Sequence, residues 1–460
     1  MVRLCILISV PLFNLYRKLK GAGNGLFASR ACPPTTKLFT IPAQAMINVK
    51  TLAPHYPREF SQLSATQWVS LHMCLHRPPG DDPSPDPLFG AYISVLPRDF
   101  ASHPVVWMVK QDLRQSGFDT ELLDHLPPTT LAALKKVCSK FWEDWDAVCK
   151  SMSRNPEVVV TAGRTGLQFI PENASLCMDF RWAWLNVNTR CIYYQVHASR
   201  SSPDNLTMCP ILDFANHTST SRHMSPVPID FRSLSTLPRG SPKKGQLVFV
   251  SPREAIEEGE EIFLCYGAHA NRTLFVEYGF VNDIPIGAEH SDEYNGEVDV
   301  QDIVERLFTE AGPQGMWLKG VLEDNAYWGD WTLHASPRPA YPSFRLIAAL
   351  RLYHLTLSVE STPESTRVGQ FIEPWQDTLL GRKHTISDEN EAAWRATLYD
   401  ICQEVGERAK CALERLESGL EGGNASSWSL WMKKNICALW TEEQIVAAAV
   451  AASVAGGEQY

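Results

Sequence analysis

An α+β fold is predicted for this chain of 460 residues: a β-rich part opened by a helical insertion, then an all-α C-terminal part. Three observations carry that reading. Short apolar runs cut by Pro and Gly occupy residues 21–50 and return after residue 185, the pattern of brief strands and turns. Helical periodicity fills most of the interval between them. Beyond about Ile284 long helical patterns dominate.

Taken in order, residues 21–50 carry a glycine cluster and then GLFASRACPPTTKLFTIPAQAMI, which fits short strands and turns rather than helix. From 61 to 100 the pattern is helical, with Leu63, Trp68, Leu71 and Leu75, until RPPGDDPSPDP at 77–87 forces a loop. Residues 119–150 return to helix, with Leu131, Leu134, Val137, Cys138, Phe141 and Trp145 recurring at three and four. Strands are expected at 185–196, 208–212, 246–251 and 262–266, and the Ser/Pro-rich stretch 218–245 is expected to form an extended hairpin or surface loop. Helices are expected at 298–310, 344–357, 390–417 and 429–454. The third of these aligns Trp394, Leu398, Ile401, Val405 and Ala409 on one face. No repeat of fixed period occurs.

Composition narrows the function classes. Lys and Arg number 42 against 52 Asp and Glu, a net charge of −10, which argues against a generic nucleic-acid binder and suits a basic partner. The twelve cysteines contain no C-x-x-C pair and none sits with His at zinc-ligand spacing, so they read as reduced thiols and no metal is expected. The apolar run at 4–15 is about 12 residues, where a membrane span needs roughly 20. It lacks an A-x-A-like cleavage site, so residues 1–20 are an uncertain segment: a strand, a weak anchor or a mis-assigned start. N-x-S/T triplets begin at Asn173, Asn205, Asn216, Asn271 and Asn424. Two of these fall in motifs described next, where a glycan could not fit.

Three stretches carry chemistry. The first is Gly21-Ala22-Gly23-Asn24-Gly25-Leu26-Phe27-Ala28. It lacks the context of a dinucleotide fingerprint or a P-loop, and is either a tight turn needing positive φ or a backbone that a ligand must approach closely. The second is Asp213-Phe214-Ala215-Asn216-His217, whose polar groups either cap a turn or face a ligand. The third runs Gly259-Glu260-Glu261-Ile262-Phe263-Leu264-Cys265-Tyr266-Gly267 and on through Ala270-Asn271 to Glu277-Tyr278-Gly279-Phe280. Its two Tyr-Gly pairs are either ordinary aromatic packing or phenols set beside sharp turns.

In this order, G-x-G, D-x-x-N-H, G-E-E-I-x-L-x-Y-G and Y-G-F, the chain resembles the SET-domain protein methyltransferases. The likeness is to the branch holding the plant Rubisco large-subunit lysine methyltransferase and the fungal ribosomal-protein lysine methyltransferases. Matches at Ala91-Tyr92-Ile93-Ser94-Val95-Leu96-Pro97, at Phe180-Arg181-Trp182-Ala183-Trp184 leading to Val187-Asn188-Thr189-Arg190, and at Ala349-Leu350-Arg351-Leu352 support it. The resemblance implies a SET-domain β-fold of several small sheets with a knot-like C-terminal segment over 21–285, with its helical insert at about 55–178. A helical substrate-binding domain would then span 286–460. It implies S-adenosylmethionine as cofactor, held through Asn24, Gly25 and Leu26, with Arg190 on the methionine carboxylate. Asp213, Asn216 and His217 belong to the same implied cofactor set, with Asn216 and His217 at the amino group and adenine, and Ala270 and Asn271 closing the pocket. Tyr266 would be the catalytic tyrosine, itself beside the cofactor, and Tyr278 would shape the lysine channel.

Those residue types fit the chemistry. Methyl transfer from a sulfonium to an amine needs a neutral nucleophile, while free lysine has a pKa of about 10.4. An apolar, tyrosine-lined channel lowers that value by desolvation and aims the lone pair. The expected activity is protein-lysine N-methylation of a non-histone protein such as a ribosomal protein. Histidine methylation by the same fold and a catalytically inactive binding module are the alternatives; Tyr266, Asn216 and His217 occurring together weigh against the latter. The expected setting is cytoplasmic or nuclear, as a monomer, without nucleic acid or stable membrane insertion.

Overall fold

The computed structural model describes residues 13–19, 23–78, 80, 82–115, 118–164, 166–227, 246–288, 294–357, 368–419 and 430–460. Gly21 and Ala22 of the glycine cluster, the apolar residues 4–12, most of the Ser/Pro-rich stretch and Asn424 lie outside them. The chain divides into two compact units, Met1–Val106 with Lys136–His269, and Trp107–Lys135 with Ala270–Tyr460.

The first unit holds the strands β1 (Phe13–Leu19), β2 (Gly23–Ala28), β3 (Lys37–Pro42), β4 (Cys191–Tyr193), β5 (Leu206–Met208), β6 (His223–Pro226), β7 (Gln246–Val250) and β8 (Glu261–Leu264). Six of them form one sheet in the order β1-β2-β8-β6-β7-β3, and β4 pairs with β5. All pairings are antiparallel except β6 with β8, which run parallel with His223 beside Phe263. The apolar run in KLFTIP is buried on both faces of β3, with Leu38, Phe39 and Ile41 in the core, where Phe39 stacks on Phe249 of β7 with ring centroids 5.6 Å apart.

The insert begins with helix α1 (Ala65–Leu75), which opens on a capping box: Ser64 accepts from the Gln67 N–H while the Gln67 side chain bonds back to the Ser64 N–H. A short α2 (Gly90–Ile93) follows the Pro-rich loop, and α3 is Pro104–Asp112. The long α4 (Pro128–Arg154) packs Phe141 and Trp145 against Phe180 of α5 (Ala174–Arg190). At its centre the fully buried Asp144 accepts from Gln67 Nε2 of α1 and from Trp184 Nε1 of α5, each at 2.9 Å. Charge-assisted bonds of this kind let a carboxylate sit in a core at all.

The second unit carries α6 (Asn271–Tyr278), α7 (Gln301–Glu310), α8 (Gly312–Asp324), α9 (Phe344–Leu357), α10 (Val368–Leu379), α11 (Asp388–Gly419) and α12 (Leu430–Ala455). It also has a three-stranded sheet that the sequence reading did not include: β9 (Glu297–Asp299), β10 (Thr332–His334) and β11 (Tyr341–Pro342). The expected face of α11 is the buried one, with Trp394, Leu398, Val405 and Ala409 at or near zero exposure. It joins Trp331 and Trp375 in a single apolar cluster, each large side chain contributing roughly 1.5–3 kcal/mol of burial. Helix α12 is long and apolar enough by composition to cross a membrane, yet half of its apolar window is buried in this unit, and it buries Glu442 and Glu443.

Two expected strands and the start of one expected helix differ. Residues 185–190 belong to helix α5, and only 191–193 of the expected 185–196 are strand. All six residues from Trp182 to Val187 on that helix are buried, so its apolar pattern there loses the 3.6 period and reads as strand. The expected strand at 208–212 is β5 ending at Met208, followed by a 3-10 turn over Leu212–Phe214. The helix expected from 298 begins at Gln301, after β9.

Candidate functional site

In the first unit three distant segments converge on the edge of β8. Strand β2 lies antiparallel beside it, with Leu26 opposite Ile262 and Phe27 opposite Glu261. Against β8 runs the stretch after the 3-10 turn: Leu264 N–H donates to the Asn216 carbonyl at 2.9 Å, and Thr218 N–H donates to the Leu264 carbonyl at 3.1 Å. Backbone pairing therefore fixes Asn216 and His217 relative to Tyr266, two residues past Leu264.

Asn216 and Gly25 share one spot. Asn216 Nδ2 donates to Glu261 Oε1 at 2.6 Å, and burial pushes that carboxyl above its ordinary value while the Asn216 bond pulls it back. A Cβ on Gly25 would lie 2.5 Å from Glu261 Oε1 and 3.1 Å from Asn216 Nδ2. Gly25 sits within extended strand, so space rather than positive φ demands glycine there. Asn24 continues the same strand opposite Lys18, and Leu26 is fully buried beside it.

Tyr266 is held at both ends. Its N–H donates to His217 Nδ1 at 3.1 Å, its hydroxyl donates to the Ala215 carbonyl at 2.9 Å, and the two rings lie 5.2 Å apart. Burial, reinforced by His269 and His223, pushes the His217 pKa down to about 4. The ring is thus neutral near pH 7, accepting at Nδ1 and protonated at Nε2. Gly267, at φ 147°, lets the chain turn away at once; a Cβ there would meet the His269 ring at 2.5 Å.

Arg190 ends helix α5 rather than a strand. Its guanidinium Nη1 donates to the Asp213 carbonyl at 2.9 Å and to Asp213 Oδ2 at 3.0 Å, and Tyr92 of α2 donates its hydroxyl to the same oxygen at 2.7 Å. Burial disfavours the Arg190 charge, but Asp213 and the phenols of Tyr92 and Tyr266 outweigh it and hold the group above its ordinary value. Arg190 Nε and Asp213 Oδ1 remain buried with no hydrogen-bond partner. A charged donor in that state marks a place where a further anionic or polar group fits.

In the second unit Ala270 is the N-cap of α6 and Asn271 its first residue, 5% exposed. Asn271 Oδ1 accepts from Asn282 N–H at 2.8 Å, and its side chain also bonds Glu442 of α12. Glu442 accepts in addition from Tyr294 Oη at 3.2 Å and Glu297 N–H at 3.4 Å. Burial pushes its carboxyl up to about 8, the three donors opposing. Tyr278 closes α6, its ring 6.2 Å from Phe280, and Gly279 caps the helix in the left-handed region at φ 81°.

Four participants were not singled out from sequence. Glu261 and Ala215 both lie inside quoted motifs, Ala215 directly before Asn216. Tyr92 meets Asp213 across 121 positions and Glu442 meets Asn271 from a helix near the end of the chain; no local pattern in one sequence joins such pairs.

No family model matches the chain. It is 24% identical over 434 residues to the ribosomal lysine N-methyltransferase set11 of Schizosaccharomyces pombe, covering 92% of this chain and 91% of that one. It is 25% identical over 299 residues to ribosomal lysine N-methyltransferase 2 of Saccharomyces cerevisiae, covering 62% of this chain and 54% of the relative. Among solved structures, the SET domain of LSMT bound to lysine and AdoHcy superposes with a TM-score of 0.56 at 18% identity, over 96% of this chain and 86% of that one. The chain has the fold of that SET-domain protein, and the likeness to SET-domain lysine methyltransferases drawn from its motifs stands with these relatives.

Proposed function

We propose that the chain is an S-adenosylmethionine-dependent protein-lysine N-methyltransferase acting on ribosomal proteins, in the cytoplasm or the nucleus. One observation carries the reading: the Tyr266 hydroxyl is fixed on the Ala215 carbonyl while its N–H is fixed on a neutral His217, beside the Gly25–Asn216–Glu261 contact. Relatives named as ribosomal lysine N-methyltransferases support the substrate class, and a neighbour of the same fold is bound to AdoHcy and lysine.

The donor set fits the cofactor. Arg190 retains a buried, unpartnered Nε–H suited to a carboxylate, and the backbone of Asn24, Gly25 and Leu26 has no side chain at its centre. Asn216 and His217 offer an amide and backbone groups on the same strand edge. When bound, S-adenosylmethionine would supply a sulfonium methyl group for in-line displacement by an amine, the sulfur–methyl bond breaking and S-adenosylhomocysteine leaving, with no covalent enzyme intermediate. Tyr266 and the Ala215 carbonyl then present two oxygens on one short bridge, placed to stabilise a methyl carrying partial positive charge. Because that hydroxyl donates to Ala215, its lone pairs face away from the carbonyl and can accept from a lysine ammonium or the methyl group. Apolar surroundings favour the neutral amine, and the proton leaves to solvent before transfer.

The test is incubation of the purified chain with tritiated S-adenosylmethionine and a cell lysate, then mass spectrometry of the labelled band. Methyl-lysine on a ribosomal protein is the expected product; label on histidine redirects the reading to that nucleophile. Tyr266→Phe should cut transfer by at least about a hundredfold, in keeping with the loss of a preorganised stabilising group, while calorimetry finds cofactor binding unchanged. Full turnover by that variant removes Tyr266 from the mechanism.

A further inference from the structure

A polar cluster in the helical insert takes no part in the chemistry above. Helix α1 places His72 and His76 four residues apart, so their rings share one face with centroids 4.6 Å apart. The loop behind them brings Asp86 to the same spot, and one donor atom from each of the three lies within 4.8 Å of the others. His72 and Asp86 are buried at 2% and 7% exposure. His72 Nε2 is 3.2 Å from Asp86 Oδ2, and its Nδ1 is 2.8 Å from the Tyr56 hydroxyl. Asp86 also accepts from the N–H groups of Leu88 and Phe89, at 3.2 and 2.9 Å.

A hydrogen-bonded Tyr–His–Asp chain bracing the loop accounts for His72 and Asp86. It leaves His76 unexplained. The Nδ1 of that ring is buried with no hydrogen-bond partner, a loss of roughly 1–3 kcal/mol for a polar atom taken from water.

We infer that His72, His76 and Asp86 bind one divalent transition-metal ion, zinc by preference, in a three-ligand site with a water at the fourth position. Two imidazoles and a carboxylate form the borderline donor set that zinc takes. With ligand bonds of about 2.0–2.1 Å, tetrahedral neighbours sit roughly 3.3 Å apart. The His72–Asp86 pair already has that spacing, and His76 closes the remaining gap by a side-chain adjustment. The metal takes the place of the proton between Nε2 of His72 and Asp86; through solvent exchange that proton moves to Nδ1, so the ring stays neutral in its other tautomer, and the Tyr56 hydroxyl turns to accept from Nδ1–H and orients the ring, as outer-shell partners do. Such an ion ties α1 to the loop that leads into α2, and α2 carries the Tyr92 that holds Asp213. Its role is to brace that wall, separate from methyl transfer.

The experiment uses the tag-free full chain, stripped with a chelator and dialysed. Zinc titration by calorimetry should give one equivalent, cobalt should give the visible absorption of a low-coordinate nitrogen–oxygen site, and zinc should raise the melting temperature. His76→Ala is the informative variant, because that ring makes no hydrogen bond and its loss leaves the Tyr56–His72–Asp86 chain in place. It should melt with the metal-free wild type yet bind zinc at least about a hundredfold more weakly, beyond what outer-shell changes cost. No stoichiometric binding by the wild type overturns the proposal. So does binding that His76→Ala leaves unchanged.

Discussion

Gly25 shows how one position can be set by what lies across from it. Nothing about its backbone requires glycine, since it lies in extended strand, but a Cβ would fall 2.5 Å from a carboxylate oxygen that is holding Asn216. In Gly25→Ala the Glu261 side chain must move, and Asn216 Nδ2 loses its 2.6 Å partner. The expected cost is about 1–3 kcal/mol of stability from overpacking, with cofactor affinity in calorimetry lowered about tenfold or more. Asn216→Ala should lower the affinity likewise without the steric cost. If both variants bind as the wild type does, the Gly25–Asn216–Glu261 contact is packing and the cofactor lies elsewhere. The spacing of glycines offered either a turn or a close approach, and only the position of Glu261, 236 places along, decides between them. Asn216, His217 and Tyr266 were legible because a strand edge keeps short motifs local. Tyr92 and Glu442 were not, because their partners are fixed by packing rather than by neighbouring sequence.

At the scale of elements, legibility followed burial. Helix α11 has one buried and one solvated face, so its period shows in the sequence, whereas α5 is buried on every side over residues 182–187 and its last turns read as strand. Helix α10 carries Pro374 inside it and α8 begins Gly312-Pro313, both breakers that hide a helix from pattern reading. Helix α12 has the opposite character: apolar enough to look like a span, it owes its place to two buried carboxylates. Glu443 pairs with Arg408 of α11 at 3.3 Å, and Glu442 holds Asn271, Tyr294 and the Glu297 N–H. Glu442 has a folded pKa of about 8 against 4.5 for the free group, so the folded state retains a proton that the unfolded chain has released. Its contribution is fully present below pH 4.5 and is lost as pH rises through 8. Glu443, raised to about 7 by burial, acts in the same direction. Thermal unfolding of the wild type should therefore weaken from pH 5 to pH 9, by an amount on the order of a few kcal/mol. Glu442→Gln, which keeps an acceptor oxygen and cannot ionise, should flatten most of that slope and melt above the wild type at pH 9. Parallel slopes for the two proteins would mean that Glu442 is ionised in the folded state throughout.

For the molecule as a whole, the net charge of −10 first excluded a class of partner and then acquires a use. On the proposed reading the substrate is a basic protein, and its approach to an acidic enzyme would be favoured over distances comparable to the Debye length, about 10 Å at 0.1 M salt and about 3 Å at 1 M. The attraction acts on encounter and not on the transfer step, where the groups are already in contact and water is largely excluded. The two steps can be separated by salt. With a lysine-rich substrate, kcat/KM should fall by about tenfold or more between 0.05 and 0.5 M sodium chloride while kcat stays level, because the loss resides in KM. A neutral peptide carrying the same target lysine should show little dependence, which controls for any effect of salt on the enzyme itself. A flat kcat/KM for both substrates would place the acidic residues off the path of the substrate, and the charge of the chain would then serve solubility alone.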